Sequence, residues 1–145
     1  RAHILTVQLA ASLLTEARDG LVVLTTSPMA ASFHGHLYYD VVKHAINRVP
    51  VGLAEDLRPY GVTALAVAPG WMHTERMDLT PEQAAKTEST EFVGRAVAAL
   101  AADPQVGRHT GTVRTVVELA ADYGFTDVDG RSRSAWWAEF RTGIG

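Results

Sequence analysis

Two apolar runs, Leu21-Val22-Val23-Leu24 and Val62 to Ala68, constrain this chain most, because neither alternates cleanly with polar residues and each follows a long helical stretch. A strand that is apolar on both faces has to be covered on both, as in a parallel sheet with helices packed on either side. The stretches around the runs fit that role. His3 to Ala17 is rich in helix formers, and Ile4, Leu5, Val7, Leu9, Leu13 and Leu14 are spread widely enough to predict burial of most of the helix surface. Leu37 to Leu57 has an apolar face of Val41, Val42, Ile46, Val49, Leu53 and Leu57. Pro50 inside it predicts a kink or a break, since a mid-helix proline costs about 3 kcal/mol. Tyr60-Gly61 reads as a turn. Thr80-Pro81-Glu82-Gln83 has the pattern of a helix start and predicts a short helix to about Lys86, covering a substrate mouth. Phe92 to Ala102 predicts another helix, stopped by Asp103-Pro104, and Thr112 to Val117 a third strand. The order helix-strand-helix-strand-helix-strand predicts an α/β fold with a parallel sheet and right-handed crossovers, with Arg131 to Gly145 as an extended arm.

The chemistry gathers after the strands. Ser27 follows the first run, and Tyr39 and Lys43 stand four apart on the next helix, so both project from one face, which Tyr38 does not share with Lys43. A phenol with an ordinary pKa of about 10 is a poor acid near neutrality, but a nearby ammonium stabilises its phenolate. A serine hydroxyl beside such a pair can polarise a substrate oxygen while the tyrosine moves the proton. Thr25 and Thr26 compete with Ser27 for that part. The second run ends at Pro69-Gly70, with Thr74 four residues on. Ligands in open α/β sheets bind beyond such carboxyl ends.

The serine, Tyr39-x-x-x-Lys43 and Pro69-Gly70-Trp71-Met72-His73-Thr74, in this order, resemble the pattern of the short-chain dehydrogenase/reductase family. The tail from Glu118 to Gly130 is similar to the ending of its member-one subgroup. The resemblance implies that residues 1–145 are a single partial catalytic segment, the C-terminal half of a Rossmann-type doubly wound parallel sheet. The N-terminal glycine-rich half that receives the cofactor pyrophosphate is missing from this sequence. The implied activity is reversible hydride transfer between NAD or NADP and a carbonyl or alcohol substrate, and nothing in the sequence separates the two cofactors. Tyr39 is implied as the acid-base residue and Lys43 as its partner, which also holds the nicotinamide ribose, and both are implied to contact the cofactor. Ser27 is preferred for the substrate oxygen, since its spacing of twelve before Tyr39 and its Ser-Pro context match the subgroup. Thr26 has the thirteen-residue spacing common elsewhere in the family. Pro69, Gly70 and Thr74 are implied to contact the nicotinamide end. The family's active-site asparagine would fall at or just before Arg1, and Asn47 is not read as its substitute. The family often lacks a proline at position 50, and it commonly dimerises through the two helices that correspond to His3 to Ala17 and Leu37 to Leu57. A homo-oligomer, or association with a separate nucleotide-binding half, is therefore expected.

Other classes fall away on composition. The formal charge of −3 is small and scattered, so no nucleic-acid or anionic-lipid surface is expected. Cysteine is absent, which excludes disulfides and thiol nucleophiles. No apolar run approaches the roughly 20 residues of a membrane span, and a cytoplasmic location is the expectation. The opening Arg1 and the helical pattern after it read as the interior of a larger gene product. His34 and His36 have only Asp40 nearby, so no metal site is expected, and they read as lining a substrate loop. His73 faces the same mouth or solvent. Trp71 and Met72 form an apolar substrate wall or pack in the core, and Trp136-Trp137 packs on its own domain or, second, between subunits. Two other functions remain to be weighed: a non-catalytic α/β module without cofactor, and a hydrolase using Ser27. The hydrolase is disfavoured because Gly-x-Ser-x-Gly is absent.

Overall fold

Among the residues described by the computed structural model, 1–28 and 35–133, three parallel strands lie side by side in sequence order. β1 (Leu21–Thr25) pairs with β2 (Thr63–Ala68), setting Leu21 opposite Thr63 and Thr25 opposite Val67. β2 in turn pairs with β3 (Val113–Thr115), with Ala68 opposite Thr115. α1 (Ala2–Ala17) leads into β1, and α2 (Leu37–Leu57) connects β1 to β2. α3 (Pro81–Ala84) and α4 (Thr90–Ala102) lie between β2 and β3, and α5 (Val116–Tyr123) follows. The α/β class and the alternating order expected from the sequence are those observed.

All six residues of β2 are buried, as a central strand covered on both faces requires. Its side chains divide by the two-residue period. Ala64 and Ala66 join Val7, Val22, Leu24 and Leu57 beneath α1 and α2, whereas Leu65 and Val67 join Phe92, Ala96, Leu100, Val116 and Leu119 beneath α4 and α5. Phe92 anchors the second cluster, meeting the Phe125 ring edge-on at 5.5 Å. The turn into β2 depends on Gly61. Its φ is 70°, and a Cβ there would come within 2.6 Å of the Arg18 carbonyl oxygen, so no other residue fits without backbone movement.

Three expectations are corrected. α2 runs through Pro50 without the break that was one of the two expected outcomes, and the proline ring is buried, so packing offsets part of what the missing amide costs. β3 ends at Thr115 instead of continuing to Val117, because Thr115 caps a helix that the apolar run concealed: its hydroxyl accepts from the Glu118 amide at 3.2 Å while Glu118 accepts from the Thr115 amide at 2.8 Å. The resulting α5 is tied down at its far end. Tyr123 donates to Asp103 at 2.6 Å and lies 3.2 Å from His109 Nε2, and burial together with that carboxylate pushes the phenol up to about 12. The third correction concerns α1, of which Val7 is buried but Leu9 and Leu13 stand 84% and 70% exposed. A single sheet face can cover only one stripe of a helix. No helix among the described residues is long and apolar enough to cross a membrane.

Candidate active site

The site is built where β1 and β2 leave the sheet. Thr26 donates its amide to the Val67 carbonyl at 2.9 Å, extending the strand pairing one residue past β1. Ser27-Pro28 and Pro69-Gly70 therefore depart side by side at the carboxyl edge. The three hydroxyl residues differ in setting: Thr25 is exposed, Thr26 is buried and Ser27 is half-buried. The Thr26 hydroxyl donates to Asn47 Oδ1 at 2.5 Å, and Asn47 Nδ2 donates to the Ser27 carbonyl at 3.4 Å. Asn47 thus staples α2 to the strand end. That role was missed in the sequence, although Tyr39, Lys43 and Asn47 repeat every four residues and so share one face of α2.

Lys43 and Tyr39 are brought together, with the ammonium 5.6 Å from the ring centroid. Tyr39 is 45% exposed and Lys43 is half-buried, which leaves the phenol reachable from solvent. Tyr38, on a different face, is more exposed still. His36 is the exposed residue preceding α2, and its side chain does not cap the helix. His34 and Trp136-Trp137 lie outside the described residues. No group of three or more histidine or carboxylate side chains that could hold a metal occurs among the described residues.

The Pro69-Gly70 turn is held from behind. Pro69 is buried, and the Gly70 amide donates to Glu88 Oε2 at 2.8 Å. Glu88 also pairs through its backbone, its amide donating to the Trp71 carbonyl and its carbonyl accepting from the His73 amide, each at 2.8 Å. Trp71, Met72 and Thr74 are half-buried, and His73 is exposed. Next to Glu88, Ser89 caps α4 and is gripped by Asp127, which is 1% exposed. Asp127 accepts from the Ser89 amide at 3.0 Å and its hydroxyl, from the Val128 amide at 2.7 Å and from Arg133 Nε at 2.8 Å. Burial pushes this carboxyl up, but the bonds from Ser89, Arg133 and Val128 outweigh it and hold the group at about 2. Glu88 shifts the other way: burial raises it, the Gly70 amide only partly compensates, and Asp127 adds to the rise. Neither carboxylate stood out in the sequence as a site residue. Asp127 lies in the Glu118 to Gly130 tail, whose interest there was its resemblance alone.

Comparison with known proteins supplies the context. The family model described as Enoyl-(Acyl carrier protein) reductase matches residues 1–124. The chain is 33% identical to Dehydrogenase/reductase SDR family member 1 of Mus musculus, over 90% of this chain and 47% of that protein. The Homo sapiens protein of the same name is 32% identical with the same coverage. The chain thus spans about half the length of these curated relatives. A putative dehydrogenase from Xanthomonas campestris superposes with a TM-score of 0.71 at 23% identity, over 92% of this chain and 51% of that one. A 3-oxoacyl-[acyl-carrier protein] reductase with bound NAD from Brucella melitensis superposes with a TM-score of 0.63 at 26% identity, over 79% of this chain and 45% of that one.

Proposed function

The chain belongs to the short-chain dehydrogenase/reductase family, and from this premise we propose that it carries the catalytic half of an oxidoreductase acting between NAD or NADP and a carbonyl or alcohol substrate. The observation that carries the proposal is the pairing of Tyr39 with Lys43 on the α2 face that Asn47 staples to the Ser27 strand end. The donor set suits the nicotinamide end of such a cofactor: an ammonium and a phenol for ribose hydroxyls, and the Thr74 hydroxyl beyond the Pro69-Gly70 turn. When bound, the cofactor supplies or accepts the hydride. The residues of this chain do the rest. Ser27 donates to the substrate oxygen and stabilises the charge that grows there, while Tyr39 gives that oxygen its proton in reduction and takes it back in oxidation. Lys43 holds the ribose and places positive charge beside the phenol. The engagement of the Thr26 hydroxyl with Asn47 supports Ser27 over Thr26 for the substrate role.

The sequence carries no glycine-rich turn for the pyrophosphate, so residues 1–145 alone are expected to bind NAD(H) and NADP(H) weakly or not at all in calorimetric titration. A protein in which this chain is preceded by the amino-terminal half its relatives have should oxidise or reduce the cofactor with a panel of ketones, aldehydes and alcohols. Absence of turnover across that panel would favour the reading of a non-catalytic α/β module.

The outer faces of α1 and α2 support a partner proposal. Leu9 and Leu13 on α1 and Val41 and Val42 on α2 are exposed, and β1 lies at a sheet edge. Exposed apolar faces and unpaired strand edges associate readily. We propose that these helices or that edge are covered by a second copy of the chain or by a nucleotide-binding half. Light scattering of the 145-residue chain should show a mass above the monomer that rises with concentration. A folded monomer at every concentration would contradict it.

A further inference from the structure

Glu88 presents an anomaly that the reaction does not use. Its side chain is 2% exposed, one carboxylate oxygen accepts from the Gly70 amide at 2.8 Å, and the other, Oε1, is buried with no hydrogen-bond partner among the described residues. A buried carboxylate left half satisfied is costly, and satisfying one amide needs no charge. The bond directs the Gly70 N–H to the buried Glu88 side chain, and the two backbone bonds between Glu88 and Trp71 and His73 fix the following residues in the same register. Asp127, with its four donors, holds Ser89 and so keeps the segment carrying Glu88 in place.

We propose that Glu88 is a positioning residue, which acts through Gly70 to set the Pro69-Gly70 turn against which the nicotinamide end of the cofactor rests. This inference rests on the function proposed above. Misplacing the ring disturbs the alignment of hydride and carbonyl, whereas most of the cofactor's binding contacts belong to the amino-terminal half. The effect should therefore fall on kcat more than on cofactor KM.

In the protein carrying both halves, Glu88→Ala should lower kcat at least about tenfold while changing cofactor KM less than about threefold. Glu88→Gln, whose amide oxygen still accepts from Gly70, should stay within about threefold of the parent in kcat. Circular dichroism verifies that both variants are folded. A Glu88→Ala enzyme as fast as the parent, a loss confined to KM, or a Glu88→Gln enzyme as slow as Glu88→Ala each overturns the proposal. Should Glu88→Ala fail to fold, hydrogen exchange of the Gly70 amide in the parent chain decides it, since protection supports the bond and exchange at the rate of an unstructured amide overturns it. An inactive parent protein sinks the oxidoreductase function and the positioning role together. An active parent with an unaffected Glu88→Ala sinks the positioning role alone.

Discussion

Tyr39→Phe is expected to lower kcat by at least about a hundredfold in the protein carrying both halves, with cofactor affinity lowered far less because Lys43 still faces the ribose. The substitution keeps the ring under the Lys43 ammonium and removes only the oxygen proposed to carry the proton, so a loss in turnover far larger than the loss in binding separates proton transfer from packing. Steady-state kinetics with cofactor titration reads both quantities. Tyr38→Phe serves as the control, because Tyr38 projects from another face of α2; if Tyr38→Phe were the slow enzyme, the assignment of the two tyrosines would be reversed. Ser27→Ala should likewise cost more turnover than Thr26→Ala. The hydroxyl of Thr26 is bonded to Asn47, so its removal should appear first as lost stability.

Asp127→Ala should destabilise the fold by about 3–5 kcal/mol, the range found when one partner of a buried ion pair is removed. It strips a bonding partner from Ser89, Val128 and Arg133 at once, and leaves Arg133 with Asp129 alone among the described residues. For a chain of this size the melting temperature should fall by roughly 10–20 °C. The pH dependence carries the same signature. The folded protein holds Asp127 at about 2 against an ordinary value of 3.8, so between those values the unfolded chain binds a proton that the folded chain does not. The stabilisation is therefore fully present above about pH 4 and disappears as pH falls through about 2. Denaturant melts at stepped acid pH should show a steeper loss for the parent than for Asp127→Ala, and parallel curves would show that Asp127 is not the group responsible.

Local signals carried much of the fold and less of the site. The extent of α2, from near Leu37 through Leu57, was legible because its apolar periodicity and its flanking breaks agree, but its continuity through Pro50 was not. The end of β3 was not, since Val116 and Val117 prolong an apolar run that reads as strand. Yet the Thr-x-x-Glu spacing of Thr115 and Glu118 was in view and marks a helix start. The burial of α1 was overestimated because a pattern of apolar residues reports what a helix can cover, not what is there to cover it. Tyr39 and Lys43 could be paired because helical spacing joins them. Thr26 with Asn47, and Gly70 with Glu88, are 21 and 18 residues apart and are joined only by tertiary structure, so no spacing rule could have linked them.

The staple between Thr26 and Asn47 has a kinetic meaning as well as a geometric one. Both parts of the candidate site, the strand end at Ser27 and the turn at Pro69-Gly70, belong to one strand-helix-strand unit, and Asn47 closes that unit from within. Contacts between segments close in sequence form with a smaller loss of chain entropy than those spanning a whole domain. The staple spans 21 residues, against 38 for the bond between Ser89 and Asp127, so it closes the shorter loop. Loosening the carboxyl-terminal buttress at Asp127 should therefore free the segment that carries Glu88 while leaving the staple between Thr26 and Asn47 formed.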